Sequence, residues 1–265
     1  MIREDFELFR EIPKIRRARG WRLYAENGSR IVDLWQYGGR ALLGHNPPGL
    51  LRAFKNSAEK GLFAPFPHFA EDRLRKALAA LLPGRRFRFF SGGDALGAAL
   101  EAAGKNRSCR AEALWRPFLD IPSGPLFIPV LPFPFPGAPA VLALDPETDS
   151  VLEGVLPAEP LSPAALAAAA RCVWDLAAVS PGRGRPRFPK LDALNALDTL
   201  AAGAWQRRGI YLSRPPGAAS GYPALFRRFL DGGFLLPPSP SQPAILPGEL
   251  SPGEEAKLAA LLSAE

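Results

Sequence analysis

The sequence predicts an α/β protein, because short apolar strands and helices alternate along much of the chain. Phe87–Ala95 has the pattern of a strand, a glycine turn and the start of a helix, while Leu126–Leu131 and Ala140–Leu144 are apolar enough to form buried strands. The chain has 265 residues, of which 47% are hydrophobic. It is therefore long enough for one large domain or two modest ones with a real core.

Targeting features and cysteine spacing restrict the class of protein. The first residues, Met1–Asp5, lack the apolar stretch of a signal peptide, and no apolar run is long enough to span a membrane. We therefore expect a cytoplasmic protein without a membrane partner. Cys109 and Cys172 match no metal or redox spacing, so we predict that both are reduced and buried. Because His45 and His68 are the only histidines, we predict no metal site.

The net charge of +7 raises the question of nucleic acid binding. The arginines are spread along the chain, often in pairs such as Arg85 and Arg86 or Arg227 and Arg228. No concentrated basic segment or aromatic stacking motif accompanies them. We therefore expect no nucleic acid partner.

Four consecutive residues, Ser91, Gly92, Gly93 and Asp94, are the strongest local candidate for a binding site. Glycines allow backbone N–H groups to approach a ligand closely, and the first turn of a helix adds unpaired donors and the positive end of its dipole. This combination predicts a phosphate cradle. An ordinary strand-to-helix connection, with Asp94 near the helix start, explains the same residues.

Several stretches before Gly104 resemble one enzyme family. Ala18–Tyr24 and Asn27–Asp33 resemble its hairpin, and Gly44–Pro48 stands where the family has Gly-His-Asn/Ala-His-Pro. Ser91–Ala95 is similar to its Ser-Gly-Thr-Glu-Ala phosphate loop. This family is the class III aminotransferases, and within them the glutamate-1-semialdehyde aminomutase branch, all of which use pyridoxal phosphate (PLP).

The resemblance implies a fold and a division into domains. It implies a three-layer α/β large domain of the PLP-transferase (fold type I) kind, shortened and covering residues 50–204. It also implies a small α+β domain formed by both chain ends, residues 1–49 and 205–265. Within the large domain it predicts helices over Ala53–Gly61 and Asp72–Leu82.

Proline dominates the middle of the chain. Ten prolines lie between Pro117 and Pro163, which forbids long helices and restricts strands to short pieces. The density of Phe, Leu, Ile and Val predicts packed strands, with Phe133–Gly137 as the turn between them. A low-complexity linker is the competing interpretation.

Asp175 is the second candidate for cofactor binding. We expect an alanine-rich helix over Pro163–Arg171, followed by a strand over Cys172–Asp175. Asp175, followed by Gly182 and Arg183, resembles the family segment whose aspartate pairs with the pyridinium nitrogen of PLP. A carboxylate there keeps the nitrogen protonated. A plain aspartate at a strand end explains the residue equally well.

Amino-group transfer with PLP requires a lysine that forms a Schiff base and moves a proton. Of the seven lysines, only Lys190 lies between Asp175 and the small domain. It follows Pro189 and enters a helical run, Leu191–Ala202, without the glycine turn that the family has. Lys190 is therefore the candidate catalytic residue. A solvated lysine at a helix start is the alternative.

The last part of the chain resembles the family again. We predict an amphipathic helix over Tyr222–Gly233, a strand over Phe234–Ser239 and a closing helix over Ser251–Leu262 with Ser251 at its capped start. The earlier segment Gly209–Pro216 fits either a weak duplication or a second strand of the same small domain.

Two hypotheses of function follow from the resemblance. In the first, PLP-dependent amino-group transfer or aminomutase chemistry uses Ser91–Asp94, Asp175 and Lys190. In the second, the chain is a pseudoenzyme that acts as a binding or partner subunit. Loss of catalysis is expected, because Lys190 does not match the position of the family's Schiff-base lysine and because Gly93 and Asp94 replace the threonine and glutamate of the phosphate loop. The partners expected are an amino acid or phosphorylated ligand and a second subunit, as in a homodimer.

Overall fold

The computed structural model describes residues 3–104, 114–156, 159–179, 205–215 and 221–263. Contacts within the chain divide it into two compact units. We call Met1–Asn46 with Pro186–Glu265 the terminal unit, and Pro47–Arg185 the central unit.

The terminal unit contains a four-stranded sheet. After helix α1 (Arg3–Glu11), strands β1 (Ile15–Arg19), β2 (Arg22–Ala25) and β3 (Arg30–Asp33) form an antiparallel meander. Strand β10 (Phe234–Leu235) pairs with β3 in parallel. The hairpin predicted from Ala18–Asp33 is confirmed.

A second sheet and two helices complete the described part of the terminal unit. The sheet has the order β11-β9-β8 and is antiparallel. The sequence prediction for residues 209–216 is resolved in favour of a second strand, and the two predicted C-terminal helices are confirmed to within two residues. The bounds are β8 Gln206–Arg208, β9 Tyr211–Ser213, α7 Tyr222–Asp231, β11 Ala244–Ile245 and α8 Pro252–Ser263.

The central unit has a mixed sheet of four strands. Its order is β4-β7-β6-β5, with β4–β7 and β7–β6 antiparallel and β6–β5 parallel. The bounds are β4 Arg86–Phe90, β5 Leu114–Trp115, β6 Leu126–Pro129 and β7 Ala140–Leu144. The proline-rich segment is therefore packed structure where it is described, and β7 has the predicted bounds.

Helices cover both faces of this sheet. Phe90, Leu126 and Leu142 pack with α4 (Gly93–Gly104) and with residues that follow α5 (Pro146–Val151). The alternate residues of β4 point to the opposite face, where α3 (Ala70–Leu81) contacts that strand. Helices α2 (Pro48–Ala58) and α3 both pack on α6 (Pro163–Val179). These layers confirm the predicted α/β fold class.

One predicted strand is wrong. Cys172–Asp175 lies within α6, which continues without a break to Val179. The strand was inferred from the β-forming residues Val173 and Trp174. The segment is helical because the helix buries Cys172, Val173 and Leu176 in the layer that it shares with α2 and α3. Within the described residues, no helix combines the length and apolar content needed to cross a membrane.

Candidate functional site

The loop between β4 and α4 has the open geometry expected of a cradle. A Cβ atom built on Gly92 or on Gly93 meets no heavy atom within 4 Å, and neither backbone has the positive φ that would demand glycine. The fold itself therefore does not require these two glycines. Side chains at these positions would intrude only on something bound in front of the loop.

A carboxylate of the chain itself already binds at this loop. The backbone N–H of Ser91 donates a hydrogen bond of 2.6 Å to Oε2 of Glu159. Asp94 adds a second acidic residue in the first turn of α4. Helix N-termini attract anions, but two carboxylates at one end repel a further anion. A phosphate would have to displace Glu159 to use this donor.

Cations near Glu159 have carboxylate partners of their own. Glu159, Arg75 and Arg88 line one groove of about 280 Å³. Arg75 pairs with Glu71 at 2.7 Å, and Arg88 pairs with Asp149 at 2.7 Å. These pairs reduce the positive charge available to a phosphate beside the cradle.

Asp175 is held by an arginine on its own helix. Its Oδ1 accepts from Nη2 of Arg171 at 2.6 Å, and its Oδ2 accepts from Nε at 3.1 Å. The two residues are four apart, so they lie on one face of α6. The pair packs over Gly49 of α2, where a Cβ would lie 2.5 Å from Nε of Arg171. Asp175 thus lies within a helix and not at the strand end that the sequence predicted.

The predicted cofactor residues are not brought together by the contacts described here. Ser91 contacts Glu159, whereas Asp175 contacts Arg171. Lys190 lies outside the described residues. As placed, the described candidates do not fit PLP, because a carboxylate holds the first donor of the cradle and the second carboxylate is engaged with an arginine.

Both histidines have hydrogen-bond partners within the chain. Nε2 of His45 lies 2.8 Å from Oδ2 of buried Asp33, whose Oδ1 accepts from the backbone N–H groups of Trp35 and Gln36. Nδ1 of His68 accepts from the N–H of Ala70 at the start of α3. Both rings therefore fix turns.

Cys172 is a free, buried cysteine. The side chain is buried, and loss of solvation raises the pKa of its thiol to about 12. Cys109 lies outside the described residues. Among the described residues, no group of three or more His, Cys, Asp or Glu side chains is placed to hold a metal ion.

Sequence reasoning missed one strained turn. Gln36 and Tyr37 have φ values of 49° and 51°, in the left-handed region that non-glycine residues avoid. The Oε1 atom of fully buried Gln36 has no hydrogen-bond partner, although its Nε2 donates to the carbonyl of Ile245. The pair Gly38 and Gly39 was the only signal of an unusual turn here.

The comparison with known sequences gives the family of the chain. No family model matches it. An uncharacterized protein of Treponema pallidum (strain Nichols) is 30% identical over 288 aligned residues, which cover 91% of each chain. The chain belongs to the family of this Treponema protein. A shorter match, 43% identical over 63 residues, covers 24% of the chain and 23% of an uncharacterized protein of Borreliella burgdorferi.

The comparison with solved structures concerns the fold of the chain. A transaminase with PLP bound has a TM-score of 0.72 at 14% identity, covering 95% of the chain and 90% of the other. The β-phenylalanine aminotransferase of Variovorax paradoxus has a TM-score of 0.67 at 14% identity, covering 99% and 92%. The acetylornithine aminotransferase of Elizabethkingia anophelis has a TM-score of 0.65 at 11% identity, covering 94% and 92%. The chain thus has the fold of these aminotransferases.

Proposed function

We propose that this chain keeps the class III aminotransferase scaffold without amino-group transfer, and that it acts as a non-catalytic binding or partner subunit in the cytoplasm. The hydrogen bond from Ser91 N–H to Glu159 carries this proposal. In this family of folds a phosphate is expected at the loop, and here a carboxylate of the chain accepts the hydrogen bond from its first donor. The pairing of Asp175 with Arg171 supports the same conclusion.

The proposal includes the domain assignment and the assembly inferred from the sequence. We assign residues 1–49 and 205–265 to a small domain and residues 50–204 to a large one. A homodimer is the expected assembly, and an amino acid or a phosphorylated compound is the expected type of ligand. Nucleic acid is not a partner in this proposal.

A second candidate function is PLP-dependent amino-group transfer or aminomutase chemistry. The solved transaminase with PLP bound, which shares the fold, favours it. In that case Ser91, Gly92, Gly93 and Asp94 would bind the phosphate, Asp175 would face the ring and Lys190 would be the base. Glu159 would first have to leave the cradle.

A titration with PLP distinguishes the two candidates. We expect the mixture of purified chain and PLP to show no Schiff-base absorbance band beyond the absorbance of free PLP, because no lysine is joined to the aldehyde of PLP. The same titration is made with Lys190→Ala and with Lys257→Ala, an exposed lysine on α8 that serves as the control. A band that Lys190→Ala removes and Lys257→Ala keeps contradicts the proposal.

A second measurement tests the role of Glu159 directly. Inorganic phosphate should raise the melting temperature of Glu159→Gln more than that of the wild-type chain, because ligands that bind the folded state stabilise it and only the variant has the Ser91 donor free. Glu153→Gln, an exposed acidic residue after α5, is the control. Equal stabilisation of the wild type and Glu159→Gln would show that Glu159 does not occupy the cradle.

A further inference from the structure

A groove on the central unit lies where α2 and α3 pack on α6. Its volume is about 660 Å³, within the range of roughly 300–1,000 Å³ that is usual for small-molecule sites. Small residues, among them Ala53, Ala167 and Ala170, contribute to its lining. Four cationic and two large aromatic side chains line it as well, and we call it the basic groove: Lys60, Arg73, Lys76, Arg171, Phe69 and Trp174.

The lining of the basic groove contains four formal positive charges and no carboxylate. Asp175 neutralises part of this charge through Arg171. Two neighbouring carboxylates are paired with cations outside the lining: Glu59 lies 3.6 Å from Lys55, and Glu71 lies 2.7 Å from Arg75. A concave surface with an excess of one sign of charge attracts and concentrates ions of the other sign.

A second groove extends the same surface. It has a volume of about 350 Å³ and shares Ala53, Asn56 and Arg171 with the basic groove. Arg52 lines it and adds a fifth cation. The positive charge therefore continues along α2 and gives room for more than one phosphate group.

Aromatic faces beside these cations are left open to solvent. Trp174 is 38% exposed and Phe69 is 53% exposed. The guanidinium of Arg73 lies 4.5 Å from the ring centre of Phe69, so cation and ring form one surface. Planar ligands stack on such rings. Asn56 and Ser57 add neutral hydrogen-bonding groups.

We propose that the basic groove binds an aromatic organic phosphate of nucleotide size. The phosphate groups bind to Lys60, Lys76 and the neighbouring arginines, because ammonium and guanidinium groups donate charge-assisted hydrogen bonds to phosphate oxygens. The aromatic ring of the ligand stacks on Trp174 or Phe69. This inference goes beyond the function proposed above, since the groove contains none of the residues of the loop Ser91–Asp94.

Calorimetric titration with ADP tests this inference on the whole chain. We expect Lys60→Ala combined with Lys76→Ala to weaken ADP binding by at least about tenfold, and Trp174→Leu to weaken it while keeping apolar bulk on α6. Lys257→Ala, an exposed lysine of α8 outside both grooves, should leave the affinity unchanged. Unchanged melting curves of the variants establish that they remain folded.

Two further ligands and one further variant show which parts of ADP and which part of the chain account for binding. Pyrophosphate lacks the ring and adenosine lacks the phosphates, so both should bind more weakly than ADP. Glu159→Gln should bind ADP like the wild type, which keeps this test independent of the loop after β4. The inference is overturned by absence of ADP binding, by an affinity that the lysine substitutions leave unchanged, or by pyrophosphate binding as tightly as ADP.

Discussion

At the scale of single residues, Glu254 is the clearest case of a side chain with several simultaneous partners. It is only 8% exposed, and its two oxygens accept from Nε and Nη2 of Arg22 at 2.9 and 2.7 Å. Its Oε2 also accepts from the N–H of Ser251, while the Ser251 hydroxyl accepts from the N–H of Glu254. These bonds, the Arg22 bond above all, lower the pKa of Glu254 to about 2.

Replacing Glu254 by glutamine should destabilise the chain by about 2 kcal/mol near neutral pH, because the half-buried Arg22 loses a charged partner. Since the pKa of Glu254 is lowered from 4.5 to about 2 on folding, its contribution is complete above pH 4.5 and is lost as the pH falls to about 2. Denaturant unfolding across that pH range should show that the difference in free energy of unfolding between wild type and variant decreases as the pH falls.

The neighbouring acidic residue provides the control for this prediction. Glu255→Gln changes the same helical turn without touching Arg22, so it should have a small effect. The Arg22 pair does not stabilise the fold if both substitutions lower the free energy of unfolding equally, or if the effect of Glu254→Gln on that free energy does not depend on pH.

The Glu254 network also shows what the sequence predicts at this scale. Ser251 followed three residues later by glutamate is a local pattern, and it correctly predicted the helix start. Arg22 lies 232 positions away, so nothing local points to it. The same limit applies to the candidate site, where Ser91–Asp94 was found from its glycines but Glu159 was not.

At the scale of elements, α6 shows how a local pattern was misread. Strand propensity favoured Cys172–Asp175, yet alanines before it and apolar residues after it allow one continuous helix. The spacing of Arg171 and Asp175, four residues apart, is typical of a helix and was the signal available in the sequence. Strands β6 and β7, by contrast, were predicted because apolar runs between prolines leave few alternatives.

Gly49 tests the contact between α2 and α6. A Cβ there would lie 2.5 Å from Nε of Arg171 and 2.8 Å from Oδ2 of Asp175. Gly97, exposed in α4, has open space around it. Gly97→Ala should therefore stabilise the chain by up to about 1 kcal/mol through helix propensity. Gly49→Ala should give no such stabilisation or should destabilise the chain, because the Arg171–Asp175 ion pair must move to make room for the Cβ.

A double substitution completes this test. In a chain that carries Arg171→Ala and Asp175→Ala, the obstacle is gone, and Gly49→Ala should stabilise as Gly97→Ala does. Thermal or denaturant unfolding measures the stability of four chains, with glycine or alanine at position 49 and each with or without the Arg171–Asp175 pair. If Gly49→Ala has the same effect with and without the ion pair, the pair does not pack over this glycine.

At the scale of the whole molecule, fold and chemistry depend on different parts of the sequence. The fold matches solved aminotransferases with identities of 14% or less in the three examples above, because apolar periodicity, turns and helix ends tolerate many residue types. Chemistry depends on a few individual side chains, and our proposal rests on three of them, Glu159, Asp175 and Lys190. The overall fold was therefore predictable from the sequence, while the partners of Ser91 and Asp175 were not.

The most direct test of the central claim is the intact mass of the chain after incubation with PLP, removal of unbound PLP by gel filtration, and reduction with borohydride, which makes a retained lysine adduct permanent. Our account predicts an unmodified mass, because the scaffold no longer joins the cofactor to a lysine. One adduct per chain, located on Lys190 by peptide mapping, would contradict it.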